Sequence, residues 1–198
     1  MFSFSSYLRI SAHLGALLPL VWLFYAVPNH QLGADPVKEL IHFLGLGALR
    51  LLLLCLLITP LTRMSQSPLL LRLRRPLGLW CFVWASLHIM GWLVFEQALD
   101  WALIGEELLS RTYLWLGTIA WALLLLMSIT SIPSLVKRMK AKWLQLHGSI
   151  YVLILMVCTH YWLSLKSGWL SPLIYLLIAL ALLSLRHKKL KRWLLSFR

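Results

Sequence analysis

Acidic residues are scarce in this chain, and the common nucleotide and metal motifs are absent from it. Only 6 of its 198 residues are Asp or Glu, against 19 Lys and Arg. The sequence contains no G-x-G-x-x-G, no Walker A loop, no H-E-x-x-H and no evident Ser–His–Asp set. These absences argue against a dinucleotide-binding enzyme, a zinc protease and a serine hydrolase. The shortage of acids within the apolar stretches argues against a proton pump.

Cysteine is also rare, whereas apolar residues dominate. Cys55, Cys81 and Cys158 all fall inside apolar runs, so we interpret them as packing residues and infer no disulfide. Hydrophobic residues make up 61% of the chain, and its mean hydropathy is +0.81. This composition is typical of an integral membrane protein.

Six apolar runs are each about long enough to cross a bilayer, whose ~30 Å hydrocarbon core needs about 20 helical residues. We therefore predict an all-α integral membrane protein, a six-helix bundle that forms a single transmembrane domain over residues 1–198. The first run exceeds signal-peptide length and lacks a convincing cleavage site, so we expect it to be retained. No internal repeat is visible. The spans are expected at about 8–27, 40–60, 76–96, 112–132, 144–165 and 169–186.

The distribution of Lys and Arg predicts the orientation of these spans, because cytoplasmic loops carry an excess of both. One side holds 15 bases, and the other holds three bases and all six acids. Both termini are therefore expected in the cytoplasm, and anionic lipid rather than nucleic acid is the expected partner of the positive charge. The 15 are Arg9, Arg63, Arg72, Arg74, Arg75, Lys137, Arg138, Lys140, Lys142, Arg186, Lys188, Lys189, Lys191, Arg192 and Arg198, and the three are Lys38, Arg111 and Lys166.

Two histidines are expected at a similar depth near the outer face. His88 lies about twelve residues into the third span, and His160 lies near the outer end of the fifth. Imidazole is a common axial ligand of haem iron, and one histidine from each of two helices suits a six-coordinate electron-transfer haem. Because C-x-x-C-H is absent, such a haem would be held non-covalently. The alternative is a pair of hydrogen-bonded buried histidines, or a proton relay.

A second group of candidates lies toward the inner face. His147 precedes His160 by thirteen residues, roughly 20 Å along a helix axis, and His13 is the other histidine at that depth. Arg50 lies within the second span, where no acid of the chain shares its depth, so a haem propionate or a flavin phosphate is a candidate partner. Arg74 and Arg75 are further candidates for such an anion. The alternatives are an interfacial histidine and arginines that reach lipid or backbone.

Five segments spread over nearly the whole chain are distinctive: LGADPVKELIHFLG (32–45), LLITPLTR (56–63), RRPLGLWCF (74–82), WLQLHGSIYV (143–152) and THYW (159–162). They closely resemble the MsrQ family, also called YedZ. MsrQ belongs with the ferric-reductase-like transmembrane proteins, which are six-helix b-type cytochromes. In the wider superfamily four histidines typically hold two stacked haems. Three of them map onto His88, His147 and His160, and the fourth position is occupied by Arg74 or Arg75.

The resemblance implies an electron-transfer subunit of the bacterial inner membrane that carries one or two haem b groups and binds FMN. Its electrons would come from the quinone pool or a cytosolic flavin reductase. They would pass to MsrP, a periplasmic molybdopterin subunit that reduces methionine sulfoxide in oxidised proteins. The chain itself is then expected not to be an enzyme, because catalysis resides in that separate subunit.

Two other interpretations are open at this point. In the first, the chain is a transporter whose intramembrane histidines relay protons or ions; in the second, it is a membrane assembly factor without a cofactor. Gly45, Gly47 and Gly117 are expected to permit close helix packing in any of these interpretations.

Overall fold

The structure, a computed structural model, describes residues 4–165 and 168–196. Lys166 and Arg198, which entered the prediction of orientation, lie outside the described residues. In the described ranges the regular structure is entirely helical, with no strand. The chain divides into two compact units, Met1–Leu109 and Ser110–Arg198, which are described in turn.

The first unit is built from three long helices and one short helix. The second helix begins where the sequence provides a cap, because the Asp35 side chain accepts a hydrogen bond from the Lys38 backbone N–H and Pro36 occupies the first turn. A 3-10 helix, Pro68–Leu73, leads into the third helix, and a π-helix, Trp92–Glu96, follows it. The α-helices are α1 (Phe4–Ala26), α2 (Pro36–Met64), α3 (Arg74–Gly91) and α4 (Trp101–Ser110).

Trp84 joins α1, α2 and α3. Its indole N–H donates to the Ala16 backbone oxygen at 3.0 Å, and its ring lies against Gly47 of α2. A Cβ atom at Gly47 would lie 2.0 Å from the Trp84 ring, so only glycine fits there. The predicted packing role of Gly47 is confirmed.

The second unit contains the remaining six helices. Helices five and eight pack on each other, and helix nine packs on helix eight. Lys140, with a φ of +49°, interrupts the helical conformation between the sixth and seventh helices. The helices are α5 (Thr112–Ile129), α6 (Pro133–Met139), α7 (Ala141–Gly148), α8 (Ile150–Ser164), α9 (Leu170–Ser184) and α10 (His187–Leu195).

Five helical segments in the described part of the chain are long and apolar enough to cross a membrane by themselves. A sixth span arises if α9 and α10, which are bent by 74° at their junction, are counted as one. The chain is thus an all-α multi-pass membrane protein, and the predicted fold class is confirmed. The five segments are Ser6–Ala26, Pro36–Met64, Pro68–Glu96, Thr112–Ile129 and Ala141–Ser164.

Candidate functional site

His88 is held by the backbone of α2. Its imidazole is partly buried, and Nδ1 lies 2.8 Å from the backbone oxygen of Ile41. A carbonyl oxygen only accepts hydrogen bonds, so Nδ1 carries the proton and donates it. The neutral ring therefore keeps its lone pair on Nε2, the atom that a metal would use.

His160 is held in the same way in the second unit. Nδ1 of its partly buried ring lies 2.8 Å from the backbone oxygen of Tyr113, in the first turn of α5. The Tyr113 ring lies beside the imidazole, with 5.9 Å between the two ring centroids. By the same reasoning Nδ1 donates, and the lone pair is on Nε2.

A glycine lies against each of these rings, one helical turn after the carbonyl that binds it. A Cβ atom at Gly45 would lie 3.1 Å from both Cε1 and Nδ1 of His88. A Cβ atom at Gly117 would lie 2.8 Å from Cε1 and 2.9 Å from Nδ1 of His160. Close helix packing was predicted at both glycines, and the structure shows that the group packed there is a histidine ring.

The same spacing of these contacts occurs in both units, and it was not predicted from the sequence. In each unit the histidine follows its carbonyl partner by 47 residues, and the glycine follows that carbonyl by four. The segments IHFLG (41–45) and YLWLG (113–117) share only an aromatic residue and the Leu-Gly that follows it, so the common spacing is not evident from sequence similarity.

A threonine marks a second equivalent position toward the other end of each helix pair. In the first unit the Arg74 guanidinium donates to the buried Thr59 hydroxyl. In the second unit Nε2 of His147 lies 3.1 Å from the Thr130 hydroxyl. Arg74 precedes His88 by 14 residues, and His147 precedes His160 by 13. Arg74 thus occupies the place of His147, but a guanidinium has no lone pair for a metal.

The hydrogen bonds of His147 differ from those of His88 and His160. The Thr130 hydroxyl lies 2.7 Å from the Leu126 backbone oxygen, to which it donates its only proton. It therefore accepts from Nε2–H of His147, whose lone pair is then on Nδ1. Trp143 stacks on the imidazole with 4.1 Å between centroids, and its indole N–H donates to the Thr130 backbone oxygen at 3.0 Å.

The remaining predicted site residues lie on the surfaces of their helices. His13 is exposed, and its Nδ1 accepts a hydrogen bond from the Trp80 indole N–H at 2.8 Å, so its neutral ring carries the proton on Nε2. Arg75 is exposed. Arg50 is also exposed on α2.

A comparison with protein families places these features in context. Residues 44–158 match the family described as "Ferric reductase like transmembrane component". The chain belongs to this family. The matched segment includes Gly45, His88, Gly117 and His147, and it ends two residues before His160.

Curated relatives cover almost the whole chain. It is 45% identical over 189 residues to the protein-methionine-sulfoxide reductase heme-binding subunit MsrQ of Cronobacter sakazakii (strain ATCC BAA-894), an alignment that covers 95% of this chain and 94% of the relative. The proteins of that name from Salmonella paratyphi B (strain ATCC BAA-1250 / SPB7) and Salmonella newport (strain SL254) are 44% identical, with 95% of each sequence covered. No solved structure matches. The resemblance to MsrQ is confirmed.

Proposed function

We propose that this chain is a haem-binding membrane subunit of a protein-methionine-sulfoxide reductase system. The observation that carries the proposal is the pair of equivalent histidines, each of which donates Nδ1–H to a backbone oxygen at 2.8 Å and keeps its lone pair on Nε2. Metal-binding histidines are characteristically oriented by such a bond on the second ring nitrogen. The names of the curated relatives support the same conclusion.

Each of the two histidines has the chemistry of a haem ligand, because a neutral imidazole with its lone pair on Nε2 binds haem iron. His88 and His160 would hold the iron as neutral imidazoles, and the glycine beside each ring leaves room that a Cβ atom would fill. When bound, the haem supplies one-electron transfer. The backbone carbonyls of Ile41 and Tyr113 orient the two rings and increase the basicity of the nitrogen that faces the iron.

The inner position is expected to differ from the outer one. Its two equivalent side chains are an imidazole, His147, and a guanidinium, Arg74, which favours anion binding over a second pair of axial histidines. We propose that Arg74, together with Arg75 and Arg50, holds a haem propionate or the phosphate of FMN. A second haem at this depth would use His147 as a ligand, and His13 is the other histidine predicted there.

The proposed electron path runs outward across the bacterial inner membrane, within one transmembrane domain that has both termini in the cytoplasm. The donor is a quinol or a cytosolic flavin reductase, and the acceptor is MsrP, the periplasmic molybdopterin subunit that reduces methionine sulfoxide. Catalysis then takes place in MsrP, and this chain transfers electrons only. The asymmetry of Lys and Arg supports the orientation.

Visible spectra of the purified protein test this proposal. Wild-type protein should show the bands of a low-spin b-type haem on reduction, and His88→Ala and His160→Ala should each remove the same component. His30→Ala and His187→Ala are the controls and should leave the spectrum unchanged. A colourless wild-type protein would favour a transporter or an assembly factor, and an unaltered His88→Ala spectrum would refute the pairing.

A further inference from the structure

His88 and His160 each lie in close contact with a different glycine, and the proposed function does not by itself require these contacts. Each imidazole lies between the carbonyl that accepts its Nδ1–H and the Cα atom of a glycine one turn further along the same helix. Gly45 is this glycine for His88, and Gly117 is this glycine for His160. The arrangement occurs once in each unit with identical spacing, which makes a chance contact an unsatisfactory explanation.

The two contacts differ in how tightly the ring is held. At Gly117 a Cβ atom would lie 2.8 Å from Cε1 of His160, closer than a real Cβ atom approaches another atom, so the ring would have to move. At Gly45 the shortest distance would be 3.1 Å, and a displacement of a few tenths of an ångström would be enough. In both cases the ring would move while its Nδ1 is bonded to a carbonyl at 2.8 Å. The hydrogen bond must then lengthen or tilt.

We propose that Gly45 and Gly117 are positioning residues for the two axial histidines. By leaving space for the ring edge, each glycine sets the plane of the imidazole and preserves the hydrogen bond from Nδ1. Both properties tune a metal centre, because the orientation and basicity of a ligand depend on the partner of its second nitrogen. The inference rests on the proposed function, and it predicts that Gly117 has the larger effect.

Two other glycines of the chain provide matched controls. Gly78 lies on α3, the helix that carries His88, and a Cβ atom there would meet no atom within 4 Å. Gly47 lies on α2, two residues after Gly45, but its close neighbour is Trp84 rather than a histidine. Gly78→Ala therefore controls for the loss of a helical glycine, and Gly47→Ala controls for steric crowding away from both histidines.

The first experiment compares haem binding in the four alanine variants with that in the wild type. Haem affinity, the reduction potential and the electron paramagnetic resonance signal of the low-spin haem are measured for each. Mutation of a group that orients a metal ligand typically lowers metal affinity by about 10- to 100-fold. We therefore expect a loss in that range for Gly117→Ala and a smaller loss for Gly45→Ala. Both should alter the resonance signal. Gly78→Ala should match the wild type, and Gly47→Ala should lose thermal stability with an unaltered signal.

The second experiment uses haem-free protein with ¹⁵N-labelled histidine. Nuclear magnetic resonance should show the proton on Nδ1 of His88 and His160 in the wild type, and Gly117→Ala should weaken or abolish this signature at His160. If the wild type bound no haem, the proposed function would fail, whereas this measurement would still test the positioning role. Wild-type haem affinity, signal and tautomer in Gly117→Ala would overturn the inference, as would an equal effect of Gly78→Ala.

Discussion

At the scale of the residue, the atom that each histidine meets determines which nitrogen is available for a metal. A backbone oxygen accepts Nδ1–H from His88 and from His160, and therefore both keep the lone pair on Nε2. A threonine hydroxyl that has already donated its proton accepts Nε2–H from His147. Histidine therefore occurs as two different tautomers in this chain: the lone pair is on Nε2 in His88 and His160 and on Nδ1 in His147.

The bond between His147 and Thr130 gives a prediction for stability. Thr130→Val keeps the shape of the side chain but removes the acceptor of Nε2–H, and because His147 is only partly buried we expect a cost of about 1 kcal/mol, at the lower end of the range for an unsatisfied donor. We expect a corresponding fall in the free energy of unfolding, measured by thermal or denaturant unfolding in detergent. Thr118→Val on the same helix is the control, because Thr118 is exposed and its hydroxyl donates to the Leu114 backbone oxygen. Equal stability of the two variants would contradict this account of His147.

Arg50 gives a second prediction, because it is a cation in an apolar span whose depth no acid of the chain shares. If its guanidinium lies near a bound haem, Arg50→Leu should lower the reduction potential. A nearby positive charge destabilises the oxidised iron more than the reduced iron, so its removal favours the oxidised form. Arg50→Lys should be intermediate, because it keeps the charge and loses the bidentate fork.

A redox titration of these two variants beside the wild type makes the measurement. Arg63→Leu is the control, since Arg63 is exposed in the last turn of the same helix. An unchanged potential and unchanged cofactor content in Arg50→Leu would indicate that Arg50 contacts only lipid or backbone.

At the scale of the element, the C-terminal helix α10 is attached to the junction of α7 and α8. The Trp193 indole N–H donates to the Gln145 backbone oxygen at 2.7 Å, and its ring occupies the space beside Gly148, where a Cβ atom would lie 1.9 Å from Cδ1. Tyr151 meets the Trp193 ring edge to face at 5.9 Å, and the Arg186 guanidinium lies 5.6 Å from the centroid of the Tyr151 ring. This aromatic contact holds α10 next to the turn that follows His147.

Trp193→Ala should therefore release α10 from the second unit. The substitution removes the indole hydrogen bond and the large aromatic surface, so α10 should open more often. We expect trypsin to cleave the basic segment 188–192 several-fold faster, as measured by mass spectrometry of timed digests in detergent. Trp169→Ala is the control, because Trp169 is 66% exposed at the start of α9. Identical digestion rates in the two variants would argue against this attachment.

At the scale of the whole molecule, the positive charge is distributed unevenly along the chain. Fifteen of the 19 bases fall in segments predicted on one side of the membrane, and all six acids fall on the other. Short cytoplasmic loops retain Lys and Arg during insertion, and therefore this asymmetry should set the topology.

Reporter fusions test the predicted topology. A fusion at the C terminus should be active only with a reporter that works in the cytoplasm, and a fusion in the loop between α3 and α4 should be active only with a periplasmic reporter. A periplasmic C terminus would reverse the assignment of His88 and His160 to the outer side.

The sequence by itself determined the fold class and the family, because both depend on continuous stretches of sequence: apolar runs and local motifs. Apolar length predicts a membrane helix without reference to any partner, and the motifs around His88, His147 and His160 lie in continuous segments. Helix ends were less predictable. The second span was expected to end near Pro60, yet α2 continues to Met64, since membrane helices tolerate an internal proline.

Only the tertiary structure decided the hydrogen-bond partners of His88, His147 and His160, the neighbours of Gly45 and Gly117 and the exposure of Arg50. Each of these depends on which backbone or ring lies opposite a side chain, and for the outer histidines that backbone is 47 residues away. Composition and periodicity describe one helix at a time and carry no information about that neighbour. The common spacing was not evident from the sequence for the same reason: one of its contacts is with a backbone carbonyl, and every residue type supplies one.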